Sequence, residues 1–134
     1  MNSSGAGAQG ETVLASTHPV VLLVDDDDDV RETSADMLEE LGYLVMQASD
    51  GFEALEKLAR HSNLEVMVSD VRMPGMSGLE LSALAAERYA TLKIILMSGY
   101  FNPQPLRCRF LQKPFRTTEL DAAIRAELAR PQTH

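Results

Sequence analysis

The feature that most constrains this chain is an alternation: short aliphatic runs recur, each followed by a segment of helical period. "PVVLLV" (19–24), "YLVMQA" (43–48), "LEVMVS" (64–69) and "LKIILM" (92–97) read as strands, with "RFLQ" (109–112) as a fifth. Their near-continuous apolar character suits strands covered on both faces, as in a parallel sheet. In the first intervening segment Val30, Met37, Leu38 and Leu41 share one helical face before a stop at Gly42. In the second, Asp50 caps, Glu53 completes a capping box, and Phe52, Leu55 and Leu58 point inward. The third opens with Ser77 and Glu80 at capping-box spacing and buries Leu81, Leu84 and Ala85. The last starts near Thr117 or Thr118, buries Leu120, Ile124 and Leu128, and ends before Pro131. This pattern predicts right-handed βαβ units and an α/β fold with an open, doubly wound parallel sheet. One interval breaks the rhythm. "FNPQPLRC" (101–108), with prolines at 103 and 105, is too short and proline-rich for a full helix and reads as a loop or a single turn.

A chain of 134 residues fits one domain with a single core. The domain is expected over 18–131, after a Gly-, Ser- and Ala-rich lead or linker at 1–17 and before a short tail at 132–134. A net charge of −8 opposes direct nucleic-acid binding and contact with an anionic membrane, and leaves a cation site or a basic protein partner. Cys108 stands alone, so no internal disulfide forms; a reducing compartment and an inert packing role are the simpler reading. The lead has neither the basic start nor the apolar stretch of a secretory signal, and no run is long enough to span a bilayer. The expected location is the cytoplasm.

In open α/β sheets ligands bind beyond the carboxyl ends of the strands. Here strand 1 runs into "DDDDD" (25–29), strand 3 ends in Asp70, strand 4 in Ser98, and strand 5 in Gln112 and Lys113. If strands 1 and 3 are neighbours, three carboxylates converge, and unrelieved repulsion would raise at least one pKa. A hard divalent cation, Mg²⁺ above all, relieves it through a few oxygen ligands. Lys113 and Ser98 add a cation and a hydroxyl to the same rim, a combination suited to a phosphoryl group. Each residue has an ordinary explanation when taken singly: a turn, a local cap, a solvated lysine. Asp28 or Asp29, with Glu32 beyond, fits a helix start; Asp27 has no assigned task.

"LLVDDD", "VSDVRMPGMSGLEL", "ILMSGY" and "FLQKPF", in this order and near these spacings, resemble the receiver domain of two-component response regulators over about residues 19 to 130. The resemblance implies a five-stranded flavodoxin-like sheet of order 2-1-3-4-5, with the fourth helix of the family shortened or missing here. It implies a phosphoacceptor signalling domain rather than a classical enzyme, in which Asp70 takes a phosphoryl group from a phosphohistidine. Asp25, Asp26 and Asp70 with the backbone carbonyl of Arg72 would hold Mg²⁺, Ser98 would bond the phosphoryl group, and Lys113 would pair with it. The Lys113–Pro114 peptide is expected to be cis. Pro74 and Gly78 shape the loop after Asp70, Gly99 keeps the pocket open, and Arg72 and Tyr100 flank it. Phe110 stands where the family carries a switching aromatic residue, or is a core residue only. The implied partner is a histidine kinase or histidine phosphotransfer protein. The "MSGY…FLQKPF" style resembles receivers of hybrid histidine kinases, so a stand-alone receiver and a domain of a hybrid chain both fit.

Two other readings compete. A phosphorylation-independent pseudo-receiver would share the fold and act by binding alone. A haloacid-dehalogenase-type phosphatase also uses an aspartate, a hydroxyl, a lysine and Mg²⁺, and Asp26-x-Asp28 mimics its opening motif. That family needs a late acidic pair, whereas nothing acidic follows Lys113 until Glu119 and Asp121. A calcium loop counted from Asp25 fails at Val30, where glycine is needed, and at Asp36, where glutamate is needed.

Overall fold

A computed structural model describes residues 18–99 and 108–131. The expected lead at 1–17, the tail at 132–134, Tyr100 and most of the shortened interval lie outside the described residues. The strands are β1 (Val20–Val24), β2 (Leu44–Ala48), β3 (Val66–Asp70), β4 (Lys93–Ser98) and β5 (Arg109–Gln112). The helices among the described residues are α1 (Asp28–Glu40), α2 (Gly51–Arg60), α3 (Gly78–Arg88) and α4 (Thr117–Ala129). All pairings are parallel and the order is β2-β1-β3-β4-β5, as expected from the sequence.

Alternation along the strands builds two core layers. Val20, Leu22 and Val24 of β1 face one side with Met67, Leu58 and Leu81; Val21 and Leu23 face the other with Val68, Leu38, Leu120 and Ile124. Helices α2 and α3 therefore cover one face, and α1 and α4 the other. The all-aliphatic β1 and the largely apolar β4 are buried along their length. Edge strands β2 and β5 are only partly covered, and Leu44 is exposed.

Local chemistry fixes where the helices start, and three expectations need correction. Asp27, not Asp28 or Asp29, caps α1: its carboxylate accepts from the Asp29 and Val30 amides at 3.0 and 3.1 Å. Asp50 caps α2, but Glu53 reaches back to the amide and hydroxyl of Ser49 rather than to the amide of Asp50. Phe52 does not point inward; it is 64 % exposed, because Ala54 and Leu58 carry the buried stripe of α2. The Ser77–Glu80 capping box of α3 forms with both bonds present. Helix α4 begins at Thr117 and buries Leu120 and Ile124, while Leu128 is partly covered.

Two buried charges lie at the end of the sheet away from the aspartates. Glu127, 2 % exposed, is held between Arg109 at 2.8 Å and Arg130 at 3.0 Å. Lys93 donates to the Arg130 carbonyl at 3.0 Å. Cys108 is half-buried, and burial pushes its thiol up, in line with a packing role.

Candidate functional site

The site is built from the last residues of four strands. Register carries Val24 opposite Ser69 and Asp70 opposite Met97, so Asp25 and Asp70 emerge side by side and Ser98 follows on the next strand. Ser98 pairs with Gln112, which brings Lys113 to the same rim. The Lys113 amide donates to the Ser98 carbonyl at 2.8 Å, and the Lys113–Pro114 peptide is cis.

Asp25 is the most constrained of the acids, at 1 % exposure. Its amide donates to the Ala48 carbonyl at 3.2 Å, its carbonyl accepts from Arg31 Nη1 at 2.8 Å, and its carboxylate accepts from the Asp27 amide at 3.0 Å and Lys113 Nζ at 2.8 Å. Such a complete set is what a buried carboxylate requires. Asp26 is exposed, and Asp70 stands between these extremes. Oxygen atoms of Asp25, Asp26 and Asp70 lie within 4.8 Å of one another. Lys113 Nζ is 3.5 Å from Asp70 Oδ1.

Electrostatics reflect the crowding. Burial pushes the Asp70 carboxyl up, with the charges of Asp25 and Asp26 adding to it and Lys113 opposing. Burial disfavours the charged form of Lys113, but the Asp25 bond and the two nearby carboxylates outweigh it and hold its pKa above the ordinary value. Three oxygen-donor carboxylates around one point, one of them ionising reluctantly, form a donor set fitted to a small hard divalent cation.

The loop after Asp70 is set by backbone approach. Gly78, the first residue of α3, packs so tightly on Asp70 that an added Cβ would overlap the Asp70 carbonyl oxygen and sit 2.9 Å from the Asp70 carbonyl carbon. Its amide donates to the Val71 carbonyl at 2.8 Å, and Gly75 takes a positive φ of 78°. Arg72 lies exposed in this loop.

Beside the acids, a groove of about 590 Å³ runs between α1 and the turn after β5; its walls include Val30, Met37, Gly99, Lys113, Pro114 and Phe115. A Cβ on Gly99 would meet no described atom within 4 Å, so the glycine leaves open space there. Phe110, three residues before Lys113, is partly buried.

The structure thus gathers Asp25, Asp26, Asp70, Ser98 and Lys113 at one rim, with Gly99 and Pro114 in the adjoining groove. Sequence reasoning missed Arg31, whose side chain is 13 % exposed. The only available signal was its position one turn into the helix that follows the aspartates.

The model of the response regulator receiver domain matches residues 21–125. The chain belongs to this family. The receiver is 38 % identical over 118 residues to the transcriptional regulatory protein FixJ of Azorhizobium caulinodans, an alignment covering 82 % of this chain and 55 % of FixJ. It is 34 % identical over 118 residues to the sensor kinase CckA of Brucella abortus, covering 82 % of this chain and 12 % of CckA. The receiver therefore spans about half or much less of the length of these two relatives. Among solved structures, chemotaxis protein CheY4 of Vibrio cholerae superposes with a TM-score of 0.77 at 28 % identity, over 82 % of this chain and 98 % of that one. Response regulator TrrA of Thermotoga maritima, solved in complex with Mg(2+)-BeF, gives 0.75 at 30 % identity, over 81 % and 97 %. No helix among the described residues is long and apolar enough to cross a membrane.

Proposed function

We propose that this receiver accepts a phosphoryl group on Asp70 from a phosphohistidine of a histidine kinase or histidine phosphotransfer protein, with Mg²⁺ held at Asp25, Asp26, Asp70 and the Arg72 carbonyl. The observation that carries the reading is the convergence of three carboxylates with Lys113 at one strand-end rim. An Asp70 oxygen attacks phosphorus, the P–O bond forms, the P–N bond breaks, and its electron pair returns to the imidazole ring. When bound by these residues, Mg²⁺ would supply charge neutralisation to the acids and the incoming oxygens. Lys113 supplies fixed positive charge within reach of Asp70 and holds Asp25 in place. Ser98 offers its hydroxyl to the phosphoryl group from the next strand. The apolar groove beside Lys113 gives the donor protein a surface to pack on while its histidine reaches Asp70.

The added charge and acceptor oxygens shift the receiver between two states read by a partner. Phe110 is the candidate aromatic for that shift, with Gly99 and Pro114 lining the adjoining groove. A phosphatase built on Asp26-x-Asp28 is disfavoured, because Asp28 stands outside the acid cluster and pairs with Arg31 at 2.8 Å. The reading is tested by mixing the chain with a ³²P-labelled histidine phosphotransfer protein drawn from a panel of such donors. Label should pass to the wild type and not to Asp70→Asn; transfer that persists in Asp70→Asn, or fails with every donor, contradicts it.

A further inference from the structure

Arg31 sits one turn into α1 with its guanidinium spread over three structural elements. Nη1 donates to the Asp25 carbonyl at the end of β1 (2.8 Å), Nε to Gln47 Oε1 on β2 (3.0 Å), and Nη2 to Asp28 Oδ1 in the first turn of α1 (2.8 Å). The first contact matters most. The Asp25 amide is tied to Ala48, but the Asp25 carbonyl belongs to the peptide that leads out of the sheet into Asp26. A bond at this carbonyl restrains the plane of the Asp25–Asp26 peptide, the unit from which the exposed Asp26 residue departs.

We propose that Arg31 is a positioning residue that sets the Asp25–Asp26 peptide and so arranges the acid cluster for a divalent cation. The proposal rests on the phosphoacceptor reading above and extends it to a residue outside the cluster. A planar guanidinium serves three acceptors at fixed angles, which a lysine ammonium on a flexible stem does not reproduce. Its pairing with Asp28 also places a negative charge against it, limiting the repulsion it would exert on a cation.

The sign of the mutational effect separates this role from a bystander's. A positive charge near an acidic site opposes cation binding, so if Arg31 were only a nearby charge, Arg31→Gln would tighten Mg²⁺ binding and Arg31→Lys would leave it unchanged. If it positions the peptide, both weaken it. Outer hydrogen-bond partners of metal ligands are typically worth about 10-fold or more in affinity.

The test is a titration of the ¹⁵N-labelled chain with MgCl₂, followed by amide shifts, for wild type, Arg31→Lys, Arg31→Gln and the exposed control Arg125→Gln. The expected result is about a 10-fold loss of Mg²⁺ affinity in both Arg31 variants, none in the control, and altered Asp26 and Asp27 amide shifts already in metal-free Arg31→Lys. Should Arg31→Gln unfold, Gln47→Met removes one of the three bonds at a distance from the acids and should weaken Mg²⁺ binding in the same direction, by less than Arg31→Lys does. Arg31 variants that bind Mg²⁺ as tightly as wild type, or more tightly, overturn the proposal alone. A wild type that binds no Mg²⁺ overturns the underlying reading together with it.

Discussion

Lys113 sits closer to Asp25 than to Asp70, at 2.8 against 3.5 Å. Asp25 is buried, so the lysine is first a counter-ion for a buried carboxylate and second a partner for Asp70. Replacing Lys113 with alanine leaves a buried acid short of a partner, at a cost of about 2 kcal/mol in metal-free buffer. A divalent cation held by the cluster would take over part of that compensation. Urea unfolding of Lys113→Ala should therefore show a deficit in EDTA that narrows in Mg²⁺.

The cap on α1 gives a separable prediction. Asp27→Ala removes the acceptor for the Asp29 and Val30 amides and should cost about 1 kcal/mol, whereas Asp27→Ser should restore most of it. The amide of residue 27 still reaches Asp25 in either variant, so Mg²⁺ affinity should change little.

Gly78 is tested by a single methyl. Gly78→Ala drives a Cβ into the backbone of Asp70 and Val71, where no flexible side chain can yield. The expected cost is about 2 kcal/mol in thermal or urea unfolding, accompanied by slower phosphorylation of Asp70 because its backbone must shift.

Tyr43, just before β2, bonds to Asp121 of α4 at 2.7 Å, and burial with that acceptor raises its phenol to about 12. A group whose folded pKa is raised contributes its stability below the unfolded value, about 10, and loses it as pH climbs through the folded value. Tyr43→Phe should therefore cost about 1 kcal/mol at pH 8, a penalty that shrinks between pH 10 and 12. Stability curves of wild type and variant across that range check it.

Much of this was legible in the sequence because it depends on pattern. Alternation of aliphatic runs and helical period specifies the parallel sheet, and the polar residues ending those runs mark its rim. The acids at 25, 26 and 70 and the lysine at 113 follow from where strands stop. What escaped depends on three-dimensional detail. Any of three consecutive aspartates can cap a helix; the turn leaving β1 selects Asp27. Arg31 looks like any arginine on a charged helix until Asp25, Gln47 and Asp28 are seen around it. Phe52 reads as core by its chemistry, yet Ala54 and Leu58 occupy the inward positions. The burial of Glu127 was hidden because its two arginines come from β5 and from the residue closing α4.

The proposed role of Asp70 as a Mg²⁺-dependent phosphoacceptor is tested at its root by the intact mass of the protein after incubation with acetyl phosphate. The wild type should carry a single phosphoryl adduct with MgCl₂, lost in EDTA and in Asp70→Asn. An adduct of equal yield in Asp70→Asn, or no adduct on the wild type with Mg²⁺ present, would contradict it.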